Sequence, residues 1–337
     1  MKIFRIIAGG IIVAAGVITL TVGAAKISEE KEFASQKPYR GVISVWEIDS
    51  FEGGSGSRKN FLLSAARGFE KENDGVLVMV VEHTSESATA AMKEGVYPDA
   101  ISYGNGTDIV GAKKISAPYF SGGEIGGNMY AVPWCRGGYC IITNTSEGTR
   151  TNENIPDLSS EKIIVSQAEY TVPLAALCLG YEQNFNGIDL KILKPAEAYA
   201  EFTEGKIKYL LGTQRDIVRL KNRGSVFQIY PLKGYNDLYQ YISLTSVSAE
   251  KSVYAEKFIN YILSEKVQQS LYKIDMMSAY YRVKNENTDI NLLQNTDCER
   301  TVSAFTSAEE LRNLQKAAKD AANGKDEGFI NLKKLLS

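Results

Sequence analysis

The sequence predicts an α/β fold built on parallel sheet, and three observations carry the prediction. The runs "GVISVWEID" from Gly41 and "GVLVMVVEH" from Gly75 are apolar almost throughout, the pattern of strands covered on both faces. Each run leads into a stretch whose apolar residues recur at helical spacing. The joints are rich in Gly, Ser, Asn and Asp, which interrupt regular structure. Strand and helix alternating in this way build parallel sheet with helices on its faces.

The first strand empties into "DSFEGGSGSRKN", Asp49 to Asn60. Gly53, Gly54 and Gly56 permit positive φ and close backbone approach, while Ser55, Ser57 and Arg58 bring hydrogen-bond donors to the same loop. The next helix sets Phe61, Ala65 and Phe69 on one stripe, with Leu62 and Ala66 beside it. "SESATAAMKEG" reads as a helix capped by Ser85, and "PDAISYG" as a third strand. A second set follows: strands "YCIITN", "EKIIVSQ" and "KIKYLLG", and helices "VPLAALCLGY" and "PAEAYAEFTEG". One long helix, "SAEKSVYAEKFINYILSEKVQQSLYKI", precedes a C-terminal helix "SAEELRNLQKAAKDAANG" and a short amphipathic end. There is no internal repeat and no low-complexity tract.

At 337 residues, 44% hydrophobic and 23% charged, the chain has material for two ordinary soluble domains. A formal charge of -2 lacks the excess of Lys and Arg that drives binding to phosphate backbones, so no nucleic-acid partner is expected. Residues 1–25 are different material: Lys2 and Arg5 precede the apolar "IIAGGIIVAAGVITLTVGAA", which is as long as one membrane span of roughly 20 residues. Val22 and Ala24 also satisfy the small-residue rule for cleavage before Ala25. The segment reads as an export signal or a membrane anchor, followed by a linker over 26–39. Both readings place the rest of the chain outside the cytoplasm, extracellular or held at the cell surface.

Four cysteines and one histidine limit the chemistry. Cys135 and Cys140 bracket "RGGY". If Gly137 and Gly138 make a two-residue hairpin turn, the cysteines form a cross-strand pair about 4.5 Å apart at Cα, within disulfide reach. If Gly-Gly is a hinge, they are separate buried thiols. Nothing pairs Cys178 or Cys298. With no CxxC and His83 as the lone histidine, neither a metal site nor a cofactor is expected. A Ser or Cys nucleophile needs a partnered base, usually His, and no G-x-S-x-G elbow occurs; Asp49 with Glu52 or Asp237 would suit a glycosidase's paired carboxylates, but the order of elements argues against it, so an enzyme is not expected. His83 reads as a core or rim residue and Trp46 as core.

In open parallel sheets ligands sit beyond the carboxyl ends of the strands, which points to the Gly-Ser loop and to "GNG", Gly104 to Gly106. For Arg58 two roles stay open: gripping an anionic solute beside a helix N-terminus, or bracing the loop through Asp49 or Glu52.

From about Gly41 to Ser278, the order and spacing of "FL..AA.GFEKEN", "PDAISYG", "YAVPW", "F.EGKIKYLLGT", "YPLKG" and "AEKFINYILSEKVQQSL" resemble the extracellular solute-binding proteins of ABC importers, in the group that includes sugar binders. The resemblance implies a two-lobe periplasmic-binding-protein-like fold of type II with hinge strands and a C-terminal helical segment. It implies crossings at Tyr130–Trp134, Leu238–Ser246 and "MMSAY". Lobe one would comprise 40–133 and 245–277, and lobe two 134–244 and 278–337. A monomer that captures a small polar solute, most simply a carbohydrate, and delivers it to the transmembrane subunits of an ABC permease is what this family implies. Its Gram-positive members carry a lipidated Cys after the signal, a residue missing here. A membrane-tethered sensory or structural ectodomain of the same fold is the other reading.

A polar solute leaving water must recover its hydrogen bonds, and sugars add an apolar face that stacks on aromatic rings. Trp134 and Tyr170 are the stacking candidates. Ser55, Ser57, Asn105, Gln214 and Asp237 are the polar ones, and Arg58 and Arg215 complete the candidate set.

Overall fold

The structure, a computed structural model, describes residues 39–48, 50–51, 53–144, 156–158, 161–181, 188–246, 248–296, 298 and 300–336. The expected signal or anchor lies outside them, as do Asp49 and Glu52. Among the described residues no helix is long and apolar enough to cross a membrane.

The strands are β1 (Gly41–Ile48), β2 (Val76–His83), β3 (Ala100–Tyr103), β4 (Glu124–Ile125), β5 (Asn128–Met129), β6 (Val132–Arg136), β7 (Tyr139–Asn144), β8 (Lys162–Ser166), β9 (Asp189–Leu193), β10 (Tyr209–Thr213), β11 (Phe227–Pro231) and β12 (Tyr239–Leu244). They form two separate five-stranded sheets, ordered β2-β1-β3-β12-β6 and β11-β7-β10-β8-β9, and a small β4-β5 hairpin. The expected parallel pairing holds for β1 with β3 and for β8 with β9 and β10. It fails for β6, β7, β11 and β12, whose pairings are antiparallel. These four strands flank the crossings between the sheets, so they enter their sheets without a βαβ connection that would align them.

The helices are α1 (Arg58–Glu72), α2 (Ser85–Lys93), α3 (Pro173–Gly180), α4 (Pro195–Thr203), α5 (Gln214–Asn222), α6 (Ala249–Ile262), α7 (Glu265–Gln268), α8 (Thr288–Gln294), α9 (Ala308–Ala322) and α10 (Asp326–Leu335). α1 buries the stripe Phe61, Leu62, Ala65, Ala66 and Phe69. Phe69 meets Phe258 of α6 edge-on at 5.3 Å, which joins the two helices on one face of the first sheet. α2 is capped by Thr84 rather than Ser85, because Thr84 and Ser87 form a reciprocal capping box. The single long helix expected after Ser248 is broken: α6 ends at Ile262, Ser264 starts α7, and a 3-10 turn runs Gln269–Ile274.

Hydrophobic clusters pack helices onto both sheets. One packs Trp46, Ile101, Tyr103 and Tyr241 of the first sheet against Ala88 and Met92 of α2. Another packs Ile142, Ile164 and Leu210 of the second sheet against Phe202 of α4, Ile217 of α5, and Ile290 and Leu293 of α8. The Trp46 and His83 rings meet at 4.3 Å and are tilted by 36°, with Trp46 buried and His83 half-buried, the core and rim roles read for them.

Sheet membership shifts the expected crossings. Trp134, Cys135 and Arg136 lie in β6 of the first sheet, and Tyr139 opens β7 of the second, so the chain crosses at Gly137–Gly138. It returns between β11 and β12, and β12 as a whole belongs to the first sheet. It leaves again after Met277, whose backbone exchanges two hydrogen bonds with Arg136 of 3.0 and 2.8 Å. A Cβ at Gly137 would come within 2.5 Å of the Gln214 Oε1, so glycine at the crossing leaves room for that side chain.

This crossing decides the cysteines. Gly137 and Gly138 are no hairpin turn, and Cys135 and Cys140 sit buried on strands of different sheets without a disulfide. Burial pushes the Cys140 thiol well above its ordinary pKa, which keeps it protonated and inert.

Trp134 is not a ligand contact. Its side chain is fully buried, its Nε1 donates to Ser102 Oγ at 2.9 Å, and its ring stacks on Phe61 at 5.3 Å. Trp134→Ala is expected to cost about 3–5 kcal/mol in stability. Urea unfolding checks this: an unchanged midpoint would contradict the core assignment.

Candidate functional site

A cleft of about 1050 Å³ opens between the two sheets. One wall is the segment joining β1 to α1, with Ser50, Phe51, Gly53, Gly56, Ser57 and Arg58. The other is Gln167 to Tyr170 after β8, Ile192 to Glu197 across the end of β9 and the start of α4, and Arg312 and Gln315 of α9. β1, β8 and β9 all deliver their carboxyl ends to it, as the rule for open α/β sheets requires.

The Gly-Ser loop is held by the protein itself. None of Gly53, Gly54 and Gly56 has positive φ. What requires glycine is contact: a Cβ on Gly54 would lie 1.8 Å from Ile274 O, and one on Gly56 2.6 Å from the Ile274 side chain. The Ser55 amide donates to Ile274 O at 3.1 Å. Arg215, at the start of α5 beside the second sheet, donates to the Gly54 carbonyl and so bridges the lobes directly. The close approach read from the glycines is therefore to the 274–275 segment of the same chain. Ser55 is exposed but does not line the cleft. Ser57 does, while its hydroxyl caps α1 by accepting from the Asn60 amide at 3.3 Å.

Arg58 takes the bracing role, and the expected partners Asp49 and Glu52 lie outside the described residues. It is 3% exposed, its Nη2 donates to Phe51 O at 2.6 Å, and its Nε lies 3.9 Å from Glu47 Oε1. Its guanidinium also sits 4.5 Å over the Phe51 ring. These contacts set the loop and present Phe51 to the cleft.

Asn105, Gln214 and Asp237 are brought together away from the cleft lining, at the joint between the lobes. Asp237 Oδ1 accepts from the Tyr139 hydroxyl at 2.6 Å and Oδ2 from the Val172 amide at 2.8 Å, while its carbonyl accepts from Asn105 Nδ2 at 2.7 Å. Gln214, fully buried, accepts from the Gly138 amide at 3.0 Å and so steadies the crossing. Asp237 and Gln214 are held by protein groups, whereas Asn105 is held through Nδ2 and keeps a buried Oδ1 without a partner.

Tyr170 lines the cleft as expected. Gly106 of the "GNG" loop has φ 79° and lies flat beneath it, where a Cβ would meet the ring carbons at 2.7 Å. The sequence reading missed Gln167, Lys194, Glu197, Arg312 and Gln315. Gln167 had a signal, since it ends a recognised strand. Arg312 and Gln315 had none, because only tertiary packing brings α9 to the cleft. Gln315 is oriented there by Nε2 bonds to the carbonyls of Glu169 and Thr171, at 2.8 and 2.9 Å. Among the described residues no cluster of three or more His, Cys, Asp or Glu suits a metal ion.

The sequence matches no protein-family model and no curated protein. The fold has many solved counterparts. The GacH receptor of Streptomyces glaucescens GLA.O, solved unliganded and with acarbose, is 16% identical, with 88% of this chain and 99% of that chain covered at a TM-score of 0.55. The galacto-N-biose-/lacto-N-biose I-binding protein of the ABC transporter from Bifidobacterium longum is 10% identical over 89% of this chain and 96% of that chain, TM-score 0.58. The maltose/maltodextrin-binding domain from Bdellovibrio bacteriovorus, bound to maltotriose, is 15% identical over 88% and 97%, TM-score 0.52. At these identities what is shared is the fold, the two-lobe periplasmic-binding-protein-like architecture.

Burial pushes the Asp237 carboxyl up to about 6, while the Tyr139 and Val172 donors pull the other way. An unfolded Asp titrates near about 3.9, so between the two values the folded chain holds a proton the unfolded chain has released. The stability from this group is fully present below about pH 4 and is lost as pH rises through about 6. The thermal midpoint is therefore expected to fall over that window in the wild type, and less steeply in Asp237→Asn. Parallel curves for the two proteins would contradict it.

Proposed function

We propose that this chain is an extracytoplasmic solute-binding protein that captures a small polar solute, a carbohydrate, between its lobes and delivers it to the transmembrane subunits of an ABC importer. The observation that carries the reading is the cleft: about 1050 Å³, at the carboxyl ends of strands from both sheets. Small-ligand sites run to about 300–1,000 Å³, so there is room for an oligosaccharide. Tyr170 offers an aromatic face, with buried Phe51 in the lining, and Ser57, Gln167 and Gln315 offer hydrogen-bonding groups. Solved proteins of this fold include receptors for acarbose, lacto-N-biose and maltotriose.

In this reading the lobes divide where the sheets do, with 42–136 and 239–277 in one and 139–236 and 278–336 in the other. Closure is driven by contacts a solute makes to both walls at once, since a ligand shifts an equilibrium only through unequal affinity for its two states. The protein works as a binder and not a catalyst: its one histidine packs against Trp46 in the first sheet, outside the cleft lining. Residues 1–25 export or anchor the chain, which acts as a monomer outside the cytoplasm.

A thermal-shift screen of the full-length chain against neutral and charged oligosaccharides, amino acids and organic acids tests this. A ligand selective for the folded state at a hundred times its Kd adds about 2.7 kcal/mol of stability. A saccharide is expected to raise the midpoint, and Tyr170→Ala to weaken binding of that saccharide by roughly two- to thirteenfold, from about 0.5–1.5 kcal/mol of lost stacking. A response to amino acids alone would overturn the carbohydrate assignment.

A further inference from the structure

We propose that this cleft selects hexose units by their hydroxymethyl group: a small recess beside it takes that exocyclic arm from one ring, and the Ser166 hydroxyl bonds the arm's oxygen. The inference rests on the carbohydrate reading above and names the sugar class within it.

The recess has a volume of about 20 Å³. One oxygen-sized group needs about 10–15 Å³, so the recess holds one such group and no sugar ring. Phe51, Ala168 and Pro195 line both the cleft and the recess, so the boundary between the two is apolar. Ser166, Thr171 and Thr213 line the recess alone, together with Leu238. Apolar groups at the boundary with hydroxyls beyond them match a hydroxymethyl arm, whose methylene is apolar and whose hydroxyl needs a partner. Phe51 follows β1 of the first sheet and Ser166 ends β8 of the second, so an arm seated here touches both lobes.

The three hydroxyls differ in what they have left to give. Thr171 Oγ1 donates to the Ala168 carbonyl at 3.2 Å and accepts from the Ala168 amide at 3.1 Å. Thr213 Oγ1 accepts from the Arg215 amide at 3.3 Å as the cap of α5. Ser166 is 4% exposed, and its hydroxyl makes no hydrogen bond among the described residues. A buried hydroxyl in that state gains most from a partner that a ligand brings. Two helices also start at the recess, since Pro195 opens α4 and Thr213 caps α5. Their amide ends favour an oxygen, but Glu197 and Asp216 already supply negative charge in those first turns. A neutral hydroxyl therefore suits the recess, and a carboxylate or phosphate exceeds its space.

Calorimetric titration of the full-length chain isolates this hydroxyl from the rest of the sugar. The probes are maltotriose and cellotriose, each beside a counterpart with every 6-hydroxyl replaced by hydrogen, and xylotriose, which lacks the arm. At least one hexose trisaccharide is expected to bind fivefold or more tighter than its 6-deoxy counterpart, because the methyl group leaves Ser166 unpaired. In Ser166→Ala that preference should shrink to less than twofold, with the ligand-free thermal midpoint no lower than in the wild type, since no hydrogen bond within the protein is lost. Equal affinity within each pair, or a preference that survives Ser166→Ala, overturns the hydroxymethyl assignment and leaves the carbohydrate reading standing. Xylotriose binding where both hexose trisaccharides fail does the same. If none of these saccharides binds, the carbohydrate reading falls, and this inference with it.

Discussion

The two halves of the molecule are tied at Asp237. Its carboxylate takes a hydroxyl from Tyr139, the first residue of the second sheet after the crossing, and an amide from Val172 at the start of α3. Its carbonyl takes the Asn105 side chain from the end of β3 in the first sheet. One buried residue thus fixes where the carboxyl ends of strands in both sheets stand relative to each other. The cleft is the space this leaves open. Fully buried polar groups with several protein partners are rigid features, so the joint is stiff at this point and motion must be taken up around it.

Glycine does the complementary task of letting segments come close. Gly137 passes the Gln214 side chain, Gly54 and Gly56 lie on the Ile274 segment, and Gly106 lies under the Tyr170 ring. In each case a Cβ would collide with a neighbour in the chain. The Gly-Ser loop therefore has two faces: one seated on the 274–275 segment and reached by Arg215, the other, with Phe51, Ser57 and Arg58, turned to the cleft. Arg58 connects them by bracing the loop that presents Phe51.

The cleft combines an aromatic face, amides and charges of both signs. Its charged residues differ in burial and therefore in availability. A guanidinium 3% exposed and bonded to a carbonyl serves structure, whereas exposed cations on the opposite wall are free to meet a solute. The same residue type has opposite meanings on the two walls, and burial decides which applies.

Much of this was legible in the sequence. Apolar strand runs, the helical stripe of α1, the carboxyl-end rule and the cleft position of Ser57, Arg58 and Tyr170 follow from local pattern and chain order, because periodicity and loop position are properties of neighbours along the chain. Several roles were not legible. Trp134 looked like a stacking platform, yet it belongs to the core because β6 lies in the first sheet and under Phe61. Cys135 and Cys140 are five residues apart in sequence and in different sheets, a separation only the crossing reveals. Arg312 and Gln315 reach the cleft from a helix more than a hundred residues beyond Gln167, through packing that leaves no mark on local sequence. What the sequence by itself determined is the set of elements and the ends of strands where a ligand belongs. Which side chains face that ligand was decided by tertiary structure, since facing depends on contacts between segments remote along the chain.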